Sequence, residues 1–394
     1  MRYVITVLVL GLVAVALAGP AAAEVRLTPA SLTGGVNEPD KGGLGCYRPF
    51  DGLDISGANN NGYGLGVAFN GQTVVESLTL VQFRDGWQRR MIEQIDVYAN
   101  GERVGVVFLQ DDPDLPWNTG YKNFNTQTLP ILGLDGVTPI SVTATWLTLV
   151  VKKQYITPDG NSAVEEFWFN GTPCDEANYE ANLNLRREFI ATGNYAGGSH
   201  GGHGSGSVVL DGNLHCAAAN GWSMFWGRED GHSEQSFTVL YGEDRPDIGS
   251  VGIAFLAGHG DRNIPKWVVL SDSNGNHIKI DVDPMTFVYD RYDRGWLLDT
   301  AGNIVGDEPV YFDEYFIATE SLKLTFPRWT DMDSDDWRTI NSVNWWTNSS
   351  DAFGLTEFQA FADRVPAAEW AAIPEPATMT LLLLGGLAMW RRRK

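Results

Sequence analysis

The chain has 394 residues, with 28 Lys and Arg against 49 Asp and Glu, a formal net charge of -21 at pH 7. So acidic a chain excludes nucleic acid and anionic membrane surfaces as partners of its body, because like charges repel. With 44 Gly and 14 Trp among 43% hydrophobic residues, the composition is that of a loop-rich globular β protein, long enough for two domains.

At the N-terminus, Arg2 precedes an apolar run over residues 3–18, and Ala21-Ala22-Ala23 precedes Glu24. A positive start, an apolar centre and a small-residue end make a secretory signal peptide, cleaved between Ala23 and Glu24. Residues 1–23 are therefore set apart from the fold. A first β-sandwich domain is expected over 24–174. Its landmarks are a turn at Asp51-Gly52 and a β-branched run over 73–83. Two further β runs, 92–99 and 103–109, are separated by Asn100-Gly101, the signature of a type I′ hairpin. A strand over 141–155 follows, and the half closes with Glu166-Phe167-Trp168-Phe169.

Residues 175–207 read as a short helix followed by a Gly/Ser/His linker, flexible by composition. Within it, Gly197-Gly198-Ser199-His200-Gly201 matches a nucleophile-elbow pattern. It lacks the strand and helix that would hold the serine, and we read no nucleophile there. His200 and His203 have no further ligands to make a metal site.

A second β-sandwich domain is expected over 208–363, with the same order of landmarks. Asp211-Gly212 opens it, and a hairpin over 267–282 turns at Asn274-Gly275. Glu357-Phe358 closes it. The spacing between matched landmarks grows along the chain, as an internal duplication with insertions near 281–315 and 328–350 would produce. Ile278, Ile280 and Val282 alternate with Lys279 and Asp281, and Leu322, Leu324 and Phe326 alternate with Lys323 and Thr325. Each set marks a strand with one buried face. Residues 364–372 read as a spacer.

The tail, residues 373–394, carries Pro374-Glu375-Pro376, an apolar run over 377–390, and Arg391-Arg392-Arg393-Lys394. Prolines keep the backbone extended and accessible. The apolar run favours a bilayer but is shorter than the roughly 20 residues of a comfortable span. The basic cluster stays on the cytoplasmic side. This order resembles the PEP-CTERM sorting signal, with Ile373 standing where Val is commoner. The resemblance implies recognition by an exosortase, an inner-membrane intermediate, and delivery to the cell surface or extracellular matrix of a Gram-negative-type bacterium, in a family linked to biofilm polymer. Export itself implies the Sec machinery, and membrane contact only through the tail before processing.

Each half resembles a discoidin-like, galactose-binding-like jelly roll, on Asp51-Gly52 with Glu166-Phe167 and Asp211-Gly212 with Glu357-Phe358. The expected fold class is thus all-β, two tandem antiparallel sandwiches between a signal peptide and a C-terminal sorting helix. Three cysteines in an oxidising compartment leave one pair and one single residue. Discoidin-like domains often tie their ends with a disulfide, so the resemblance implies Cys46–Cys174, with Cys216 left over; the rival pairing is Cys174–Cys216.

Carbohydrate is the ligand class suggested by Trp87 beside Arg89, and by Trp329, Trp337, Trp345 and Trp346, since exposed aromatic faces pack on the C–H faces of sugars. The other reading of these tryptophans is cover for the sandwich ends. Asp331, Asp333 and Asp335 place oxygen ligands at alternate positions, which suits calcium. The pattern is not an EF-hand, and a solvated acidic loop is the other reading. Asp51 and Asp211 stand where some galactose-binding-like domains hold a structural calcium. No catalytic residue is identified. A non-enzymatic, polysaccharide-binding surface or matrix protein is expected, with a secreted hydrolase or lyase of matrix polysaccharide as the alternative.

Overall fold

The computed structural model describes residues 25–27, 31–34, 58–60, 64–83, 92–110, 124–154, 162–192, 209–210, 225–228, 235–255, 263–282, 289–326, 337–339 and 352–373. Among them there is no α-helix. The first nine strands are β1 (Val25–Leu27), β2 (Ser31–Gly34), β3 (Ala58–Asn60), β4 (Gly64–Phe83), β5 (Ile92–Ala99), β6 (Glu102–Phe108), β7 (Phe124–Pro130), β8 (Ile140–Gln154) and β9 (Ser162–Thr172). Then come β10 (Glu188–Thr192), β11 (Phe225–Arg228), β12 (Gln235–Leu240), β13 (Ser250–Phe255), β14 (Asn263–Pro265), β15 (Trp267–Asp272) and β16 (His277–Asp281). The last are β17 (Tyr289–Tyr292), β18 (Arg294–Leu297), β19 (Val310–Tyr311), β20 (Ser321–Phe326), β21 (Trp337–Thr339), β22 (Ala352–Phe361) and β23 (Glu369–Ala372).

In the first half the strands run β1-β9-β4-β8-β5-β6, with β2 and β7 on β4 and β3 on β9. β4 begins at Gly64, well before the β-branched run that marks it in the sequence. Its pairing with β8 shifts register between Ala68 and Thr73, and beyond that shift it pairs with β9 and β7 as well. Val67, Val75, Leu78, Leu80, Val97, Val107, Val142, Leu147 and Phe169 share one core. The Asn100-Gly101 turn has φ of 48° and 81°, the double positive φ that type I′ requires.

The second half is built on two sheets face to face, with β14 and β21 forming a separate two-stranded pair. One runs β10-β12-β20-β15-β16-β18-β19 and the other β11-β22-β13-β17. Phe237, Leu270, Ile280, Leu324 and Phe326 from the first meet Val251, Ile253, Leu355 and Phe358 from the second in one core. Ile278, Ile280, Val282, Leu322, Leu324 and Phe326 are all buried, as their alternation dictates. Asp272 accepts from the amides of Asn274 and Asn276 and shapes the β15–β16 turn, with Gly275 at φ 89°.

Two segments differ from the sequence reading. The stretch after residue 174 forms only a short 3-10 turn, Glu176–Asn178, not a helix, and β10 then adds to the edge of the second sandwich. Residues 369–372 are not a free spacer. They form β23, which returns to the first half and pairs with β8 from Glu369↔Thr143 to Ala372↔Ile140. The amide of Ile373 continues the ladder, donating to the Pro139 carbonyl at 2.9 Å.

Residues 131–140 form a tight turn below β8. Asp135 Oδ1 accepts from the amides of Val137 and Thr138, both at 3.0 Å, and Oδ2 accepts the Thr138 hydroxyl at 2.7 Å. These bonds, the Thr138 hydroxyl first, lower the Asp135 carboxyl from its ordinary 3.8 to about 2. A depressed folded value means that the turn's stabilisation is complete above about pH 4 and is lost as the pH falls through about 2. An NMR titration following the Thr138 amide should show a midpoint near the lower value, about 2. A midpoint near the ordinary value would show that the bonds do not form.

Candidate functional site at the junction of the halves

The two halves meet over a small shared cluster. Trp146 of β8 lies edge-on to Tyr289 of β17, ring centroids 5.8 Å apart, between Ala68, Ala254 and Val365. Arg291 lies beside them with its side chain 2% exposed. Its guanidinium sits 3.8 Å over the Phe361 ring and 5.5 Å from the Trp146 ring. It is ion-paired with Glu180 and donates to Ser250 Oγ at 2.8 Å. Burial pushes the Tyr289 hydroxyl far above the ordinary tyrosine range, so it stays protonated and donates to Gln359 Oε1 at 2.7 Å. Asn100 closes the contact from the first half. Its Nδ2 donates to the Pro366 carbonyl at 2.9 Å, while its Oδ1 accepts from the Thr145 and Trp146 amides.

Beside this cluster opens a cleft of about 460 Å³. The hairpin tip with Glu102 forms one wall, β17 and β18 with Asp290, Asp293, Arg294 and Trp296 another, and the strap around Pro366 the third. The β17–β19 wall lies in the region that the sequence marks as an insertion in the second half. Trp296 is half-buried, and its Nε1 donates to Asp281 Oδ2 at 2.9 Å. Asp281 is held in turn by Lys279 at 3.1 Å. The indole is therefore fixed at the cleft, among carboxylates that accept hydrogen bonds. Chemically this suits a neutral, hydroxyl-rich ligand with one apolar face.

Of the candidate site residues that the structure describes, neither Trp337 nor Cys174 lines this cleft. Trp337 lies on β21, paired with Pro265. Cys174 carries a free thiol, its Sγ directed at the Asp175 carbonyl at 3.2 Å. Outside the described residues lie Ala23, Glu24, Cys46, Cys216, Asp51, Trp87, Arg89, Asp211, Trp329, Asp331, Asp333, Asp335, Trp345, Trp346, Pro374, Glu375, Pro376, Arg391, Arg392 and Arg393. Both expected pairings use Cys174, and its free thiol overturns them: neither Cys46–Cys174 nor Cys174–Cys216 is formed. Among the described residues no group of three or more His, Cys, Asp or Glu is set to hold a metal ion, and no helix is long and apolar enough to cross a membrane. Sequence reasoning missed Trp296 and Asp281. The available signal was their place inside the expected insertion, where added residues tend to build a site.

The body is an all-β, two-sandwich protein with a cleft between its halves. Residues 372–394 match the model of the PEP-CTERM protein-sorting motif. The chain therefore bears the signal of an exported protein that passes through a membrane-anchored intermediate and is processed by an exosortase. No curated protein is matched. Among solved structures, the chain is similar to the family 32 CBM of NanJ from C. perfringens in complex with galactose, at 13% identity and TM-score 0.25, over 37% of this chain and 98% of that one. It is also similar to the CBM32-1 and CBM32-2 domains of ZmpB from Clostridium perfringens, at 9% identity and TM-score 0.26, over 85% and 94%. Allantoicase from Saccharomyces cerevisiae is a third, at 12% identity and TM-score 0.24, over 82% of each chain.

Proposed function

We propose that this protein is a non-catalytic polysaccharide-binding component of the cell surface or extracellular matrix of a Gram-negative-type bacterium, delivered there by Sec export and exosortase processing. The observation that carries the binding reading is Trp296, pinned by Asp281 at the edge of the junction cleft. A fixed indole offers a sugar an apolar face at little entropic cost, and the surrounding carboxylates accept from its hydroxyls. Trp87, Trp329, Trp337, Trp345 and Trp346 extend the same chemistry as further candidate contacts. Calcium at Asp51, Asp211 or the 331–335 loop is a separate question for the same assay.

A glycan array run with and without calcium tests the reading. Binding by the native chain should weaken about tenfold in Trp296→Ala, the scale of one lost aromatic contact of about 1.4 kcal/mol. Unchanged binding would remove the cleft from the proposal, and no bound glycan would remove the ligand class. The convergence of Glu102, Asp281, Asp290 and Asp293 on one cleft favours a second reading, a polysaccharide hydrolase or lyase. Release of new reducing ends or unsaturated products from a bound polymer would establish it.

A further inference from the structure

β8 gives the molecule a direction. Its residue 146 lies at the junction of the halves, and its residue 140 lies six residues further, about 20 Å away at the usual strand rise. β23 runs antiparallel to β8 from the junction towards residue 140, so the chain leaves the folded body at the end away from the second half. That end is apolar. At the 131–140 turn Leu134 is 58% exposed and Val137 71% exposed. Phe108 is 43% exposed and lies against Gly136, and Trp370 on β23 is 52% exposed beside Val142. Ile373 is bonded to Pro139. Single exposed apolar residues are ordinary, but several together at one tip mark a contact surface.

The tether is short. Only Pro374, Glu375 and Pro376 separate Ile373 from the apolar run, and three residues span at most about 10 Å. While that run is in the bilayer, the tip is held against the membrane surface. We propose that the tip formed by Phe108, Leu134, Val137, Trp370 and Ile373 seats on the outer face of the bilayer in the anchored intermediate. The membrane then holds the first sandwich, and the junction cleft stands away from it. The proposal rests on the sorting signal inserting its apolar run. Tryptophan at the rim suits the headgroup level. Segments 131–140 and 369–373 contain no Lys or Arg and carry Asp135 and Glu369, so the contact is apolar and gains nothing from anionic lipid.

Hydrogen exchange on the full chain in lipid nanodiscs tests this, with zwitterionic and anionic lipid in separate samples. The comparison is a variant with about 20 Gly/Ser residues inserted between Ile373 and Pro374, which lets the body drift about 25 Å away. Peptides covering 132–139 and 369–373 should exchange about tenfold more slowly in the native chain on zwitterionic lipid, with no greater protection on anionic lipid, while the 299–306 turn is unchanged. Leu134→Ser with Val137→Ser should lose the protection at an unchanged melting temperature. Equal exchange with and without the inserted linker would overturn the proposal, as would protection confined to anionic lipid or dependent on protein concentration. Co-migration of the chain with the disc reports insertion of the tail. Its failure would overturn the membrane premise itself, whereas co-migration without protection would overturn only the seating.

Discussion

Replacing Arg291 by methionine should destabilise the body by about 3 kcal/mol and split its unfolding into two steps. Methionine keeps most of the apolar stem, so the loss falls on the charge. Glu180, whose side chain is 21% exposed, would lose its ion pair, and Ser250 Oγ would lose a donor. The rings of Phe361 and Trp146 would lose the cation they face. These partners come from both halves and from the connector between them, so the guanidinium reinforces the coupling that the Trp146–Tyr289 contact begins. Urea unfolding followed by tryptophan fluorescence and by far-UV circular dichroism measures both effects. Coincident single transitions within about 1 kcal/mol of the native chain would show that Arg291 is not the coupling element.

Glu375→Ala should abolish removal of the tail, leaving the full-length mass in the membrane fraction of a host that has the peptidase. The carboxylate is the one charged group between two prolines that fix the backbone on either side. A peptidase that reads an extended segment next to the membrane has little else there to bind. Tail removal at the native rate would show that the Pro-Glu-Pro element does not direct processing.

The sequence revealed elements whose cause is local. Asn100-Gly101 reads as a type I′ turn because few other residue pairs accept two positive φ values, and both are found. Residues 278–282 and 322–326 read as half-buried strands because the pleat has period two. What escaped was set by distant residues. β10 falls at the end of the stretch expected to be a short helix, because its partner, β12, lies more than 40 residues on. All four residues of β23 are on the exposed side, with no strand pattern of their own; only the free edge of β8 makes them a strand. The site was still less legible. Nothing near Arg291 or Trp296 in the sequence indicates the hairpin tip and strap that enclose them.

The return of β23 to the first sheet also has a kinetic consequence. Ser141 and Ala371 are in contact across 230 residues. In the Sec export proposed above the chain emerges N-terminus first, so β8 emerges long before the strand that completes it. Until then the β8 edge over residues 140–143 has open hydrogen-bonding positions, the kind of edge that invites pairing with other chains. Closing so long a loop is entropically slow, and high contact order lowers folding rates. The first sandwich is therefore the first half to be made and the last to be finished. It closes only as residues 369–372 clear the membrane, just ahead of the tail.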